Sequence, residues 1–445
     1  MSDADELAAA QTIGGEVAES AVGGSAGGSA AGSAGGSARG SAAAELVAAV
    51  LAETPIIDGH NDLPSVLRAR AGYSVAGLDQ VGPGRQTDLP RLRQGGVGAQ
   101  FWSVWTPPDL PEAQAAVGAL EQFDAIRRLV AAYPETLVFA RTAADIRRAW
   151  SEGKIASLIG VEGGHAIAGS LGVLRSFARL GARYLTLTHG RNTAWADSAT
   201  DQPGVRGLTE DGRAIVAELN RVGVLVDLSH TSKDTQLAAL AVSRAPVIFS
   251  HSSAFAVSPH PRNVTDDVLE ALAAGGGVVQ AIFLADFLDE ARSQWTAEAL
   301  AWAKAQGPAD GTPGADFWKP APRPSQTPEQ ALAEQAEATG PASPFARLGE
   351  YAEAHPPPPV TIATVVAHIE HLREVAGIDH IGIGSDFDGT PSLPEGLQDV
   401  SGYPRLLEAL AERGWSRSDL RALTGENVLR VVQDAEDAAT DPLFA

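Results

Sequence analysis

The sequence predicts a (β/α)8 barrel, and three observations predict it. Apolar strand-like runs recur along the chain with helical patterns between them. Each run is close to continuously apolar, which marks a strand buried on both faces, as in a parallel sheet. Six of the runs end in a histidine or an acid, and a closed barrel brings all such strand ends to one rim.

Taken in order, residues 14–44 are dominated by Gly, Ser and Ala and have almost nothing to bury, so 1–44 is expected to be a flexible tail. Strands are expected at about 55–60, 97–104, 155–161, 183–188, 224–229, 246–250, 277–283 and 380–385. Helical patterns occupy 113–132, 209–221, 232–242 and 264–274. A further helix at 361–376 leads into the last strand, and 404–434 reads as C-terminal helices packed outside. A Pro-rich stretch at about 305–360, with Pro320, Pro322, Pro324 and Pro356–Pro359, reads as a long insertion holding one helix around 328–338. One barrel domain therefore spans 45–435. An open doubly wound sheet has the same rhythm, but six strands converging on one site is hard to arrange there.

Composition narrows the partners. A net charge of −22 argues against nucleic acid or an anionic membrane surface. With no cysteine there is no disulfide, thiolate metal site or thiol nucleophile. No basic, apolar leader and no run of transmembrane length is visible, so the expected location is cytoplasmic.

The polar strand ends carry the chemistry. Ile56-Ile57-Asp58-Gly59-His60-Asn61-Asp62 is an apolar strand closing on His60-x-Asp62, and side chains two apart on a strand share a face. Glu162, His189, His230, His251 and Asp386 each follow their own apolar run. Three imidazoles (His60, His230, His251) with two carboxylates (Asp62, Glu162) suit zinc, with manganese or cobalt as substitutes. These five exceed the needs of one catalytic ion and suffice for two if Glu162 bridges. His60 and Asp62 would then hold one ion and His230 and His251 the other; the two carboxylates with a bridging hydroxide would remove three of the four positive charges, and an ionised Asp386 would bring the site to neutral.

The same motifs resemble the membrane dipeptidase (renal dipeptidase, peptidase M19) family of the amidohydrolase superfamily. They are Gly59-His60-Asn61-Asp62, Gly160-Val161-Glu162-Gly163-Gly164-His165, Leu187-Thr188-His189 with Asn192-Thr193, and Asp227-Leu228-Ser229-His230. Ser250-His251-Ser252, Pro261-Arg262-Asn263-Val264 and Gly384-Ser385-Asp386-Phe387-Asp388-Gly389 complete the set, with a late Thr424-Gly425-Glu426-Asn427. The resemblance runs from about 55 to 430, leaving the tail and the insertion unmatched. It implies a two-zinc dipeptidase, active also on dipeptides with a C-terminal D-residue, in which a bridging hydroxide attacks the peptide carbonyl. In that scheme Asp386 shuttles the proton, His189 stabilises the oxyanion and Arg262 grips the substrate's terminal carboxylate. A homodimer is suggested by the resemblance alone. Mammalian relatives are secreted, disulfide-linked and lipid-anchored, so their membrane attachment is not carried over.

Plainer readings stand beside these. Arg262 can instead pair with Asp266 or Asp267 on the surface, and Asp388 competes with Asp386, which is favoured because it directly follows the strand. Asp58 and His165 read as partners that orient ligating histidines. His260, between prolines, reads as shaping the turn that carries Arg262. Trp102 and Trp105 share no strand face, so at most one lines the pocket. His355, His368, His371 and His380 read as surface or helix residues. The rival functions are hydrolysis of another small amide or lactone, such as an N-acyl amino acid, on the same fold, and a non-catalytic metal-binding scaffold.

Overall fold

The structure, a computed structural model, describes residues 33–305 and 346–441. Among the described residues nine parallel strands follow one another: β1 (Ile56–Asn61), β2 (Val97–Trp105), β3 (Leu137–Phe139), β4 (Ile155–Glu162), β5 (Ala182–Thr186), β6 (Leu225–Asp227), β7 (Ile248–Ser252), β8 (Val278–Ala281) and β9 (Ile381–Ile383). They are ordered β2-β1-β9-β8-β7-β6-β5-β4-β3, and β2 also pairs with β4, which closes eight strands into the expected barrel. The short β3, which has no counterpart among the expected strands, pairs only with the first three residues of β4 and stands outside the ring. Three residues carry too little apolar pattern to register as a strand.

Period two decides what faces inward. Strand residues alternate between two apolar clusters. Val104, Ile159, Val161, Leu185, Val226, Phe249 and Val279 pack under the surrounding helices. Ile57, Phe101, Leu158, Tyr184, Leu225, Ile248 and Val278 form the other cluster, with Val428, Val431 and Val432 of the C-terminal helix. The second parity puts Ser103 and Trp105 of β2 and Gly160 and Glu162 of β4 on one face, in register as Ser103↔Gly160 and Trp105↔Glu162.

The expected helices are present, at Glu112–Ala132, Glu210–Val222, Lys233–Val242, Asp266–Ala274 and Ile362–Ala376. The C-terminal helices are Tyr403–Glu412, Arg417–Arg421 and Asn427–Ala438, the last two joined through a π-helical turn at Ala422–Glu426. That turn holds the Thr-Gly-Glu-Asn motif. Thr424 donates to Thr54 O and Asn427 Nδ2 to Ile381 O, which pins the helix to the chain leading into β1 and to β9. The motif is a structural clasp.

Two expectations need correction. Residues 33–44 do not belong to a structureless tail, because a helix spans Ser33–Glu53 and lays Ala43, Val47 and Val50 into the core. Its Ala-rich second half supplies the apolar face that a Gly/Ser reading overlooked. The insertion is also bordered by helices, Glu290–Ala305 and Ala346–Ala354, with Trp295 and Trp302 both packed on Tyr351. The expected helix at 328–338 lies outside the described residues. Among the described residues no helix is long and apolar enough to cross a membrane.

One glycine is required by this packing. A Cβ at Gly160 would lie 1.9 Å from Cζ of Tyr184, so only glycine lets that ring cross the barrel interior. Gly160→Ala forces the phenol aside, and an overpacked core loses about 1–3 kcal/mol. A thermal melt is expected to show the loss; a melting temperature equal to wild type would refute the constraint.

Candidate active site

Each strand end delivers its group to the same rim. His60 lies on β1 with Asp62 just beyond, Glu162 ends β4, and His251 lies on β7. His189, His230 and Asp386 each sit three residues past the last paired residue of β5, β6 and β9. The strands are shorter there than the apolar runs because the chain leaves the ladder to turn: His230 and Asp386 both adopt left-handed backbone, φ 65°.

Glu162 is the centre. Its Oε1 lies 2.9 Å from His230 Nε2, 3.4 Å from His251 Nε2 and 3.7 Å from His189 Nε2. Its Oε2 turns the other way, 3.4 Å from His60 Nε2, and accepts from Ser103 Oγ at 3.2 Å. His60 Nε2 is also 3.2 Å from Asp62 Oδ2 and 4.0 Å from Asp386 Oδ1. Three overlapping groups have ligand atoms close enough to hold a cation: His60, Glu162 and His251; Glu162, His189 and His230; and His60, Asp62 and Asp386.

Two relays aim the imidazoles. Tyr184 OH donates to Gly59 O, so it accepts from His60 Nδ1, 2.8 Å away, and leaves the Nε2 lone pair facing inward. Ser250 Oγ donates to Asp227 Oδ2 at 2.6 Å, so it accepts from His251 Nδ1 at 2.8 Å with the same result. Outer partners that fix the tautomer this way are the usual support of metal-binding histidines. His60 Nε2 is buried and has no hydrogen-bond partner among the described residues, and His230 and His251 bring their Nε2 atoms to 2.9 Å of each other. Buried lone pairs converging on a carboxylate fit a bound cation and little else.

The charges agree. Burial pushes the Glu162 carboxyl up, but His60, His189, His230 and His251 outweigh it and hold it well below the usual range. Burial pushes His230 and His251 well below the usual histidine range, keeping them in the neutral form that binds metal. His189 is pushed down to about 4, chiefly by burial. His60 goes the other way: burial is outweighed by Tyr184, Glu162 and Asp62, which favour positive charge at that point. Burial, with Asp62 and Glu162, raises the Asp386 carboxyl well above its usual range, against His60 and Arg262. A cation among these acids would reverse that balance.

Arg262 is buried, not on the surface. It donates to Ser252 Oγ (3.3 Å) and His251 O (3.1 Å), while Asp266 and Asp267 are taken by His371 and Lys233. Asp388 accepts from Gln86 N in a loop contact, and Asp386 is the acid beside His60.

A sequence model of the membrane dipeptidase family, peptidase family M19, matches residues 44–442. The chain belongs to that family. Solved structures similar to it include the probable dipeptidase PvdM from Pseudomonas aeruginosa, with 24% identity, TM-score 0.73, and 90% of this chain and 100% of that one covered. The dipeptidase AC, a metallopeptidase of family M19, is similar at 28% identity and TM-score 0.64 over 86% and 98% of the two chains. So is a metallopeptidase from Rhodobacter sphaeroides liganded with a phosphinate mimic of the dipeptide L-Ala-D-Ala, at 25% identity and TM-score 0.65 over 86% and 99%. The protein is thus a metallodipeptidase by family.

Within this M19 dipeptidase the roles of Tyr184 and Ser250 have no signal in the sequence. Tyr184 and Ser250 sit inside apolar runs, and nothing local marks them as partners of rings on other strands. Asp58 accepts the His60 and Ser385 backbone N–H groups, the Ser385 hydroxyl and Tyr403 OH, so it joins β1 to β9 rather than holding an imidazole. His165 faces Thr106 instead of a neighbouring histidine. Trp105, not Trp102, reaches the site, its ring edge-on to His189 at 5.6 Å. His368 is fully buried, accepting from Ala254 N and donating to Leu288 O. The Ser250 relay is testable. Ser250→Ala is expected to weaken divalent-cation affinity about 10–100-fold while leaving the fold intact, as read by competition with a chromophoric chelator. Unchanged affinity would show that the hydroxyl does not orient His251.

Proposed function

We propose that this chain is a two-cation dipeptidase that hydrolyses the peptide bond of dipeptides, including those with a C-terminal D-residue. The division of Glu162 carries the reading: one carboxylate oxygen faces His230 and His251, the other faces His60. In it, His60 and Asp62 would hold one ion and His230 and His251 the second, with Glu162 available to both. The thiolate-free nitrogen and oxygen donors suit zinc, with manganese and cobalt as substitutes. Such ions polarise the scissile carbonyl and make water nucleophilic at neutral pH.

The remaining roles belong to side chains. Asp386 takes the proton that water loses on attacking the carbonyl carbon and gives it to the departing amine nitrogen, so two amino acids leave. Its place 4.0 Å from His60 Nε2, among the candidate ligands, supports that role. His189, kept neutral by burial, offers a ring N–H to the oxyanion. Arg262, lowered by burial only to about 10, stays cationic at neutral pH and meets the substrate's terminal carboxylate. Binding that carboxylate beside the scissile bond restricts substrates to two residues. The Rhodobacter relative with its L-Ala-D-Ala mimic supports this choice of substrate.

The test is hydrolysis of L-Ala-D-Ala and an L,L-dipeptide panel by metal-loaded protein, with ions per chain counted by mass spectrometry. Two ions, activity lost to chelator and restored by zinc, manganese or cobalt are expected. One ion per chain, or no turnover of any dipeptide by the loaded form, would overturn the proposal. Asp386→Asn is expected to lower kcat by about 10²–10⁴-fold with both ions retained. An unchanged kcat would remove Asp386 from proton transfer.

A further inference from the structure

Arg262 is held by more than its own hydrogen bonds. Its guanidinium carbon lies 5.4 Å from the centre of the Phe287 ring, and the His260 ring stacks on the same phenyl at 4.2 Å with 22° between planes. Arg262 Nε is buried without a hydrogen-bond partner among the described residues, so the guanidinium is not fully tied down by polar contacts. His260 acts a second time through the backbone: its Nδ1 accepts the Arg262 N–H at 3.2 Å. Burial, with Arg262 adding, pushes that imidazole down to about 3, so it is a neutral acceptor and does not repel the arginine.

Phe287 is in turn fixed from several sides. Its carbonyl accepts from Asn263 Nδ2 at 2.7 Å, which ties it to the residue after Arg262. The preceding Asp286 is buried and accepts from Thr296 and Ser392, with Arg292 Nε 3.4 Å away. Thr296 and Arg292 belong to the helix Glu290–Ala305, at the edge of the insertion. A rigid aromatic face beside a partly satisfied guanidinium limits the directions in which that group can turn.

We propose that Phe287 and His260 are positioning residues for Arg262, holding its guanidinium toward the reaction centre and so setting affinity for the substrate's terminal carboxylate. This rests on the reading of Arg262 given above. A phenyl face and a backbone-anchored imidazole do by packing what a further hydrogen bond would otherwise do.

The experiment compares metal-loaded wild type with Phe287→Leu, Phe287→Tyr and His260→Ala. Two readouts are taken: KM and kcat for L-Ala-D-Ala, and the Kd of its phosphinate mimic by calorimetry. Phe287→Leu is expected to raise KM and Kd about tenfold with kcat within about twofold, because ground-state and transition-state binding of the carboxylate fall together. His260→Ala is expected to give a smaller rise, about threefold, and Phe287→Tyr, which keeps the ring, to stay near wild type. Adding Phe287→Leu to Arg262→Ala is expected to change Kd less than about twofold, since the residue acts through the arginine. Unchanged KM and Kd in both Phe287→Leu and His260→Ala would overturn the proposal. So would a tenfold effect that persists without Arg262. If Phe287→Leu fails to fold by circular dichroism, His260→Ala carries the same comparison. A wild type that binds the mimic but does not turn over dipeptides sinks the reaction and leaves the Kd comparison to decide the positioning.

Discussion

A carboxylate buried among imidazole lone pairs is the constraint from which the rest follows. Glu162 sits on the inner face of β4, almost wholly buried, with four histidine Nε2 atoms within 3.7 Å. An ion in such a place is very costly unless opposite charge meets it. The chain supplies no lysine or arginine in direct contact among the described residues. Two hydroxyl relays instead turn His60 and His251 so that their lone pairs, rather than their N–H groups, point inward. That is the wrong polarity for pairing two protein groups and the right polarity for binding a cation between them.

The barrel can be seen as the frame that makes this convergence cheap in conformational terms. Each group lies at a strand's carboxyl end and each strand is clamped by its neighbours, so few backbone dihedrals must be fixed for chemistry alone. Asp58 extends the frame. It is wholly buried, and by accepting from His60 N, Ser385 and Tyr403 it locks the ends of β1 and β9 side by side. Burial raises its carboxyl above the usual range, with the four donors opposing. Tyr403 comes from an outer helix, so the outer layer reaches through to the rim.

The legible parts of the sequence were those with a local signal. His60-x-Asp62 announces itself because two polar groups interrupt an apolar strand at the same face, and Glu162, His251 and Asp386 do so for the same reason. The relays were not legible. Tyr184 looks like any aromatic in a buried strand, and its role depends on Gly160 being small on the neighbouring strand. Phe287 and His260 likewise gain meaning only when the β7 and β8 loops come together. Residues 33–44 read as tail because their composition is of low complexity, whereas a helix can start in a Ser/Gly/Ala stretch if its later turns, Ala43 to Val50, find a core. The insertion's borders read as loop for the opposite reason: prolines dominate the composition there, and the packing of Trp295 and Trp302 on Tyr351 has no local signal.

The turn after β9 shows how far the fold goes to present one acid. Asp386 and Asp388 both take left-handed backbone, φ 65°, with Phe387 between them. Such residues cost on the order of 1 kcal/mol each unless the surroundings over-determine them. Here they do. The Phe387 ring is buried between Phe283 and Tyr403, its carbonyl accepts Asp62 N at 2.9 Å, and Asp386 N donates to His60 O. Asp388 is fastened to Gln86 by its own N–H and by its side chain. The next residue must be glycine, since a Cβ at Gly389 would stand 2.3 Å from Asp386 Oδ1 and 2.6 Å from Asp62 Oδ2. A buried phenyl between two unfavourable torsions therefore acts as the anchor, and the strain it absorbs sets Asp386 beside the Asp62 carboxylate and the His60 ring. Three acids in that small space repel one another strongly without a cation. The backbone of this loop, like the tautomers of the histidines, is built for a site that carries positive charge.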